Sequence, residues 1–263
     1  MKIKELTDII ESFAPLSLQE SYDNSGLIVG CPDDEVHAAL LAVDVTEEVL
    51  DEAEREGCDI IITHHPIIFH PLKRFNSKTY VERCVERAIR RGIALYACHT
   101  NLDSTPNGMS WQVGAIIGLE SMSVLQPRGA ESSVGFGVVG VLPRAESAMA
   151  LLSRVKSIFE VGAIRYSDLP SDDRLVRRVA ICTGAGGSLI DDALAADADL
   201  YITADLRYND FMRGENRMIL ADIGHFESEF CAIRILFDII SKNLHTFAVR
   251  KSACSRNPIH YLV

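Results

Sequence analysis

The sequence predicts an α/β protein whose sheets are largely parallel and whose core motif occurs twice. Three observations lead there. Short apolar runs alternate with amphipathic helical patterns from the N-terminus to about residue 117, the alternation that builds βαβ units. A second strand–helix–strand series opens at Val176 and runs to the end. Between the two lies an internal repeat: shifting the chain by 140 residues lays 41–65 on 181–205 without a gap. Asp51 then meets Asp191, Ala53 meets Ala193, Asp59 meets Asp199, Ile62 meets Ile202 and Thr63 meets Thr203. Any two βαβ units share apolar patterning, but identities held in one register favour duplication, since self-similarity at a fixed period is an architectural signal.

The elements follow in order. Ile3, Leu6, Ile9, Ile10 and Phe13 fall at helical spacing and make the opening an amphipathic helix. Leu40–Val43 reads as a strand and Thr46–Glu56 as a helix capped by the Thr46 hydroxyl. Ile60–Thr63 is a strand, Tyr80–Arg91 a helix and Ile93–Cys98 a strand. His99–Asn107 is expected as a loop, before a helix from about Met109 to Ile117. Residues 119–135, richer in Ser, Gly and Pro, are expected as a connector. A strand at Val134–Val141 and a helix at Glu146–Phe159 lead into the second series at Val176–Cys182. Lobe one is expected over about 1–125 and lobe two over about 126–263.

Composition narrows the function. With 263 residues, 48% of them hydrophobic and 24% charged, the chain can bury a full core without disulfide staples. Lys+Arg 26 against Asp+Glu 37 gives a net charge of −11 and a pI near 5.2. That balance argues against a nucleic-acid binder or a membrane-surface protein, both of which present a basic face. The 7 cysteines are scattered and form no CxxC pair, which points to a reduced, cytoplasmic protein. Acids interrupt the apolar residues of the N-terminus, so no signal peptide is expected. The uncharged stretch Ile60 to Leu72 carries three histidines and two prolines and is too short to span a membrane.

Ligands of α/β folds sit beyond the carboxyl ends of the strands, and those ends are rich in metal-binding types. Strand 60–63 delivers His64 and His65, strand 93–98 delivers His99 and Asp103, and strand 217–221 delivers His225 and Glu229. A helix starting near His225 would put it on one face with Glu229 at i,i+4. Neighbouring His64 and His65 would point apart on an extended chain, serving two ions better than one. Three histidines and two carboxylates (His64, His65, Asp103, His225, Glu229) exceed the three protein ligands of a single catalytic zinc. They fit two divalent ions bridged by a carboxylate, with Glu229 as the bridge. Imidazole and carboxylate suit Zn, Fe, Mn or Ni alike. The bland alternative for each is a histidine hydrogen-bonded at a strand end, or a His-His-Pro turn. The second repeat has Ala204-Asp205 where the first has His64-His65, so the chemistry is asymmetric. Thr183–Ser188 is glycine-rich but matches no phosphate loop and reads as a helix cap. Cys98 beside His99 does not form a nucleophile pair, because strand neighbours diverge.

These residues resemble the NGG-interacting-factor-3-like family, described as GTP cyclohydrolase 1 type 2 homologs. The matching segments are Tyr22-Asp23-Asn24-Ser25-Gly26-Leu27, Leu41-Ala42-Val43-Asp44-Val45-Thr46, Asp59-Ile60-Ile61-Ile62-Thr63-His64-His65-Pro66, His99-Thr100-Asn101-Leu102-Asp103, Tyr201-Ile202-Thr203-Ala204-Asp205 and Asp222-Ile223-Gly224-His225-Phe226-Glu227-Ser228-Glu229. The resemblance implies two intertwined, duplicated α/β lobes with mixed sheets, a dinuclear metal site on the same five ligands, and a toroidal homohexamer. It also implies a small-molecule substrate, with a nucleotide as the leading class. Asn209 stands where the family often has His, and Tyr22 where Trp is common. The function expected is a metal-dependent hydrolase, with His99 as catalytic proton carrier and Tyr22, Asn24 and Tyr208 lining the substrate side. Asn209, next to Tyr208, is a further candidate there. The alternative is a non-enzymatic, oligomeric metal-binding or scaffold protein.

Overall fold

The computed structural model describes residues 1–129, 131–169, 171 and 174–262. The chain opens with α1 (Ile3–Phe13), β1 (Gly26–Val29), β2 (Ala38–Ala42), α2 (Glu47–Glu56), β3 (Ile60–Thr63), α3 (Tyr80–Arg91), β4 (Ala94–Ala97) and α4 (Thr100–Ser104). It continues through α5 (Met109–Ile117), β5 (Glu120–Arg128), β6 (Glu131–Ser147), α6 (Ala148–Ile158), β7 (Arg165–Tyr166), β8 (Leu175–Ala185) and α7 (Ile190–Ala195). It closes with β9 (Leu200–Ala204), β10 (Ile219–Asp222), α8 (His225–Glu229), α9 (Cys231–Asn243) and β11 (Ala248–Lys251). The fold is mixed α/β with two mixed sheets. Two compact units divide it: Met1–Thr105 with Ala232–Arg256, and Pro106–Cys231 with Asn257–Val263. The chain thus leaves each unit and returns to it.

Local chemistry sets the helix limits. Thr46 and Thr79 each accept the backbone N–H three residues on, at 3.2 Å, and so start α2 and α3. Both helices stop at a left-handed glycine, Gly57 and Gly92.

In the first unit the strands run β1-β4-β3-β2-β11, parallel except for β1. The second sheet runs β5-β6-β8-β9-β10-β7. Its β8-β9-β10 core is parallel, flanked by antiparallel β6 and β7. That core buries both faces by strict alternation. Val179, Ile181, Leu200, Ile202, Ile219 and Ala221 join one apolar cluster, while Ala180, Cys182, Tyr201 and Leu220 join another. Burial on both faces makes such strands read as continuous apolar runs.

The repeat is structural as well as sequential. Leu41 pairs with Ile62 in the first sheet and Ile181 with Ile202 in the second, so the register is the same after the 140-residue shift. The caps match too: Asp59 accepts the N–H groups of His37 and Ala38, and Asp199 those of Arg177 and Arg178. Each copy then runs into a short helix after the next strand, α4 in one and α8 in the other.

Two expectations fail. The 99–107 loop contains α4, because Leu102 buries and the Asn101 and Ser104 side chains bond to the carbonyls of Ala14 and Leu18. Contacts this distant in sequence override loop-like composition. The 119–135 connector is mostly strand, β5 pairing with β6, with residue 130 outside the described residues. β5 is an edge strand that buries only Val124 and Leu125, too little to show a period of two.

Candidate metal centre

In the first unit β3 ends at Thr63, and the Thr63 hydroxyl donates to the His65 carbonyl at 2.7 Å. This turn ends the extended conformation, so His64 and His65 do not point apart as strand neighbours would. Their ring centroids are 5.0 Å apart, and that of His99 lies 5.2 and 5.5 Å from the two. One ring nitrogen from each falls within 4.8 Å of the others. Asp103, on α4, brings Oδ1 to 3.8 Å from His64 Nε2.

Each imidazole is held from behind. Nδ1 of His64 meets the Cys98 carbonyl at 2.8 Å, that of His65 meets Asp44 at 2.8 Å, and that of His99 meets Asp23 at 2.7 Å. Carbonyl and carboxylate oxygens only accept, so in each ring Nδ1 carries a proton and Nε2 is the atom turned toward the cluster. A carboxylate or carbonyl behind the ring is the arrangement that orients metal-binding histidines and raises their basicity. Asp23 also accepts from Thr100 N and Oγ1 and from Asn24 N. Burial pushes its carboxyl upward, but the bonds from His99 and Thr100 outweigh that and hold it well below the usual carboxylate range.

In the second unit α8 does start at His225, and the i,i+4 geometry brings His225 Nε2 to 3.0 Å from Glu229 Oε2. His225 Nδ1 meets Asp205 at 2.8 Å, the fourth imidazole backed in this way. Burial lowers the His225 pKa, but Glu229 and Asp205 together raise it to about 9. Glu229 is 3% exposed. Its carboxylate occupies the space beside Gly184, whose φ is +63° and where a Cβ would lie 2.1 Å from Glu229 Oε1. Asp222 accepts from Leu206 N and Gly224 N, clipping together the turns that carry Asp205 and His225.

The donor set therefore fits a divalent transition metal. It offers imidazoles anchored through Nδ1, carboxylates beside them, and a glycine cradle cut for one carboxylate. The backing carboxylates Asp23, Asp44 and Asp205 were not expected from sequence; the available signal was an acid near a strand end for three of the four histidines, His64 being backed by a carbonyl. The Cys98 thiol is buried and pushed up, so it is no nucleophile. The glycine-rich turn is consumed locally: Gly186 N donates to Thr203 Oγ1 and Gly186 O accepts from Tyr201. Of the expected substrate-side residues, Tyr22 stands 63% exposed and Tyr208 77% exposed, while the Asn24 amide donates to the Ile68 carbonyl. Asn209 is exposed.

The profile of one family matches residues 1–258: Duf34/NIF3 (NGG1p interacting factor 3). The chain belongs to this family. A GTP cyclohydrolase 1 type 2 homolog of Clostridium acetobutylicum is 33% identical over 95% of this chain and 93% of its own length. The Clostridium perfringens protein of the same description is 32% identical over the full length of both. Among solved structures, a Bacillus cereus protein related to NIF3 superposes with a TM-score of 0.91 at 21% identity, covering 100% of this chain and 99% of that one. A Staphylococcus aureus hypothetical protein gives 0.89 at 25% identity, with the same coverage. In this chain the histidine and carboxylate groups stand at strand ends of that fold, and among the described residues no helix is long and apolar enough to cross a membrane.

Proposed function

We propose that this NIF3 chain is a metal-dependent hydrolase acting on a nucleotide or related heterocycle. In this reading it holds two divalent ions through His64, His65, Asp103, His225 and Glu229, with Glu229 the shared carboxylate. The observation that carries the reading is that all three histidines assigned as ligands, His64, His65 and His225, are backed on Nδ1 by an oxygen that can only accept. Structural histidines have no need of that uniformity, whereas ligands do. The names of the clostridial relatives favour a cyclohydrolase reaction on GTP. Two bound ions supply a water acidified toward a pKa of about 7. Within the chain, Asp44 and Asp205 fix the rings of His65 and His225. Asp23 fixes His99, whose Nε2 is the group assigned to carry a proton to or from the substrate. The chain is further proposed to be cytoplasmic and to assemble as a homohexamer.

The test is steady-state turnover of GTP by metal-reconstituted protein beside His65→Ala, with metal content measured on both. Turnover by the wild type that His65→Ala loses along with metal is the expected result. Equal background rates in both overturn the hydrolase reading for GTP and favour the metal-binding role alone. Light scattering checks the assembly: a mass near the 29.0 kDa of one chain overturns the hexamer.

A further inference from the structure

The first unit exposes two large aromatic rings next to its histidine cluster, and nothing in the proposed metal chemistry uses them. Tyr22 and Phe69 stand 63% and 40% exposed, with ring centroids 6.3 Å apart and planes inclined at 57°. Phe69 in turn lies 6.1 Å from the His99 ring, edge-on at 80°. Single exposed apolar residues need no explanation, but a contiguous aromatic corner on a water-facing surface does.

The corner is also rigidly mounted. The Asn24 amide, two residues from Tyr22, donates to the Ile68 carbonyl at 2.7 Å and pins the backbone that carries Phe69. Asp23 accepts from Asn24 N at 2.7 Å and Ser25 Oγ at 2.9 Å, and the same carboxylate holds His99 Nδ1. One acid therefore ties the Tyr22 loop to the histidine cluster. Aromatic rings held in place before a ligand arrives lose little freedom on binding it.

The geometry points to a binding site for a planar heteroaromatic ring of the nucleobase class, seated in the Tyr22–Phe69 corner with its reactive edge toward His99. Rings inclined at 57° do not form a parallel sandwich; they offer one face for stacking and one edge for a tilted contact, both favoured aromatic arrangements. Asn24 is then a positioning residue, its amide spent on Ile68 rather than on the ligand. The inference deepens the hydrolase reading and rests on it for the direction of the reacting edge, while the stacking itself needs no metal.

Metal-stripped protein separates the two. Binding of guanosine 5′-monophosphate and of ribose 5-phosphate, which keeps the phosphate and lacks the base, is measured by calorimetry. The probes are applied to the wild type, Tyr22→Ala, Phe69→Ala and Phe69→Leu. Loss of a stacked base typically weakens binding by about tenfold or more. The monophosphate is therefore expected to bind the wild type at least about tenfold more tightly than the sugar phosphate, and to lose about that factor in each variant. Phe69→Leu keeps apolar area but loses the π-face, so it should resemble Phe69→Ala. Equal binding of the two probes, or unchanged monophosphate binding in all variants, overturns the site. So does a fall in assembly mass by light scattering with unchanged monophosphate binding, which would assign the rings to an interface between copies. A failed GTP turnover with the base-dependent affinity intact would sink the hydrolase reading and leave the base site standing.

Discussion

Gly184→Ala is the sharpest single test of the cradle around Glu229. The added methyl would lie 2.1 Å from Glu229 Oε1, more than 1 Å inside ordinary van der Waals contact, and 3.5 Å from the His225 ring. Two costs add. Alanine at φ +63° gives up about 1 kcal/mol relative to glycine. Displacing the carboxylate breaks its 3.0 Å bond to His225 Nε2, and bonds to charged groups are worth about 1.5–3 kcal/mol. The sum is about 3 kcal/mol, or roughly 6–12 °C in the melting temperature of a unit this size. Circular dichroism melting of metal-stripped protein measures that part. Metal titration measures the other, for which a loss of about 10- to 100-fold in affinity is expected, as for other residues that position a ligand. Gly187→Ala is the control: its nearest atoms are 3.6 Å away, so it should leave both quantities near wild type. A Gly184→Ala protein with unchanged melting and unchanged metal affinity would refute the cradle.

Three further outcomes are expected. Glu229→Gln keeps the side-chain shape but not its charge, and should give folded protein with less than one metal per chain after dialysis; two retained metals would show that Glu229 is not a shared ligand. Asp44→Ala removes the acceptor behind His65 and should weaken metal binding by about 10- to 100-fold with an unchanged dichroism spectrum. Glu52, buried, accepts from Ser252 Oγ, Ala253 N and Cys254 N. Burial raises its pKa, but those bonds win and lower it below 4.5. A depressed carboxyl contributes stability above its unfolded pKa and loses it as pH falls through the folded value. Urea unfolding should therefore place Glu52→Gln about 1–3 kcal/mol below wild type at pH 7, with the gap narrowing toward pH 3. A gap independent of pH would count against this carboxylate as the pin for residues 252–254.

Much of this was legible in the sequence, for a physical reason. Tyr80–Arg91 and Met109–Ile117 carry apolar periods long enough to set their own limits, Ile60–Thr63 is an unbroken, largely apolar run buried on both faces, and the observed elements keep those bounds. The i,i+4 spacing of His225 and Glu229 needed only a helix to become a contact. What escaped has a common cause. β1, β7 and β11 are two to four residues long and stand at sheet edges, where a period cannot develop. α4 forms through partners some 86 residues away in sequence. Asp23 and Asp44 serve histidines 76 and 21 residues further on, and a carboxylate's partner at that distance leaves no spacing to read.

The matched register of the two βαβ copies carries a further meaning. Asp59 and Asp199 do the same work in both because that work is directed at backbone, which is alike whatever the side chains become. At the tips the copies have gone separate ways. Asp44 backs an imidazole in one, while its counterpart Gly184 is stripped to make room for an acid arriving from α8. His65 has its counterpart in Asp205, which has turned left-handed at φ +55° and serves a histidine instead of being one. A frame that stays indifferent to its tips lets each half change the donors it presents, adjacent histidines in one and a histidine–glutamate pair in the other, with neither half refolding to do so.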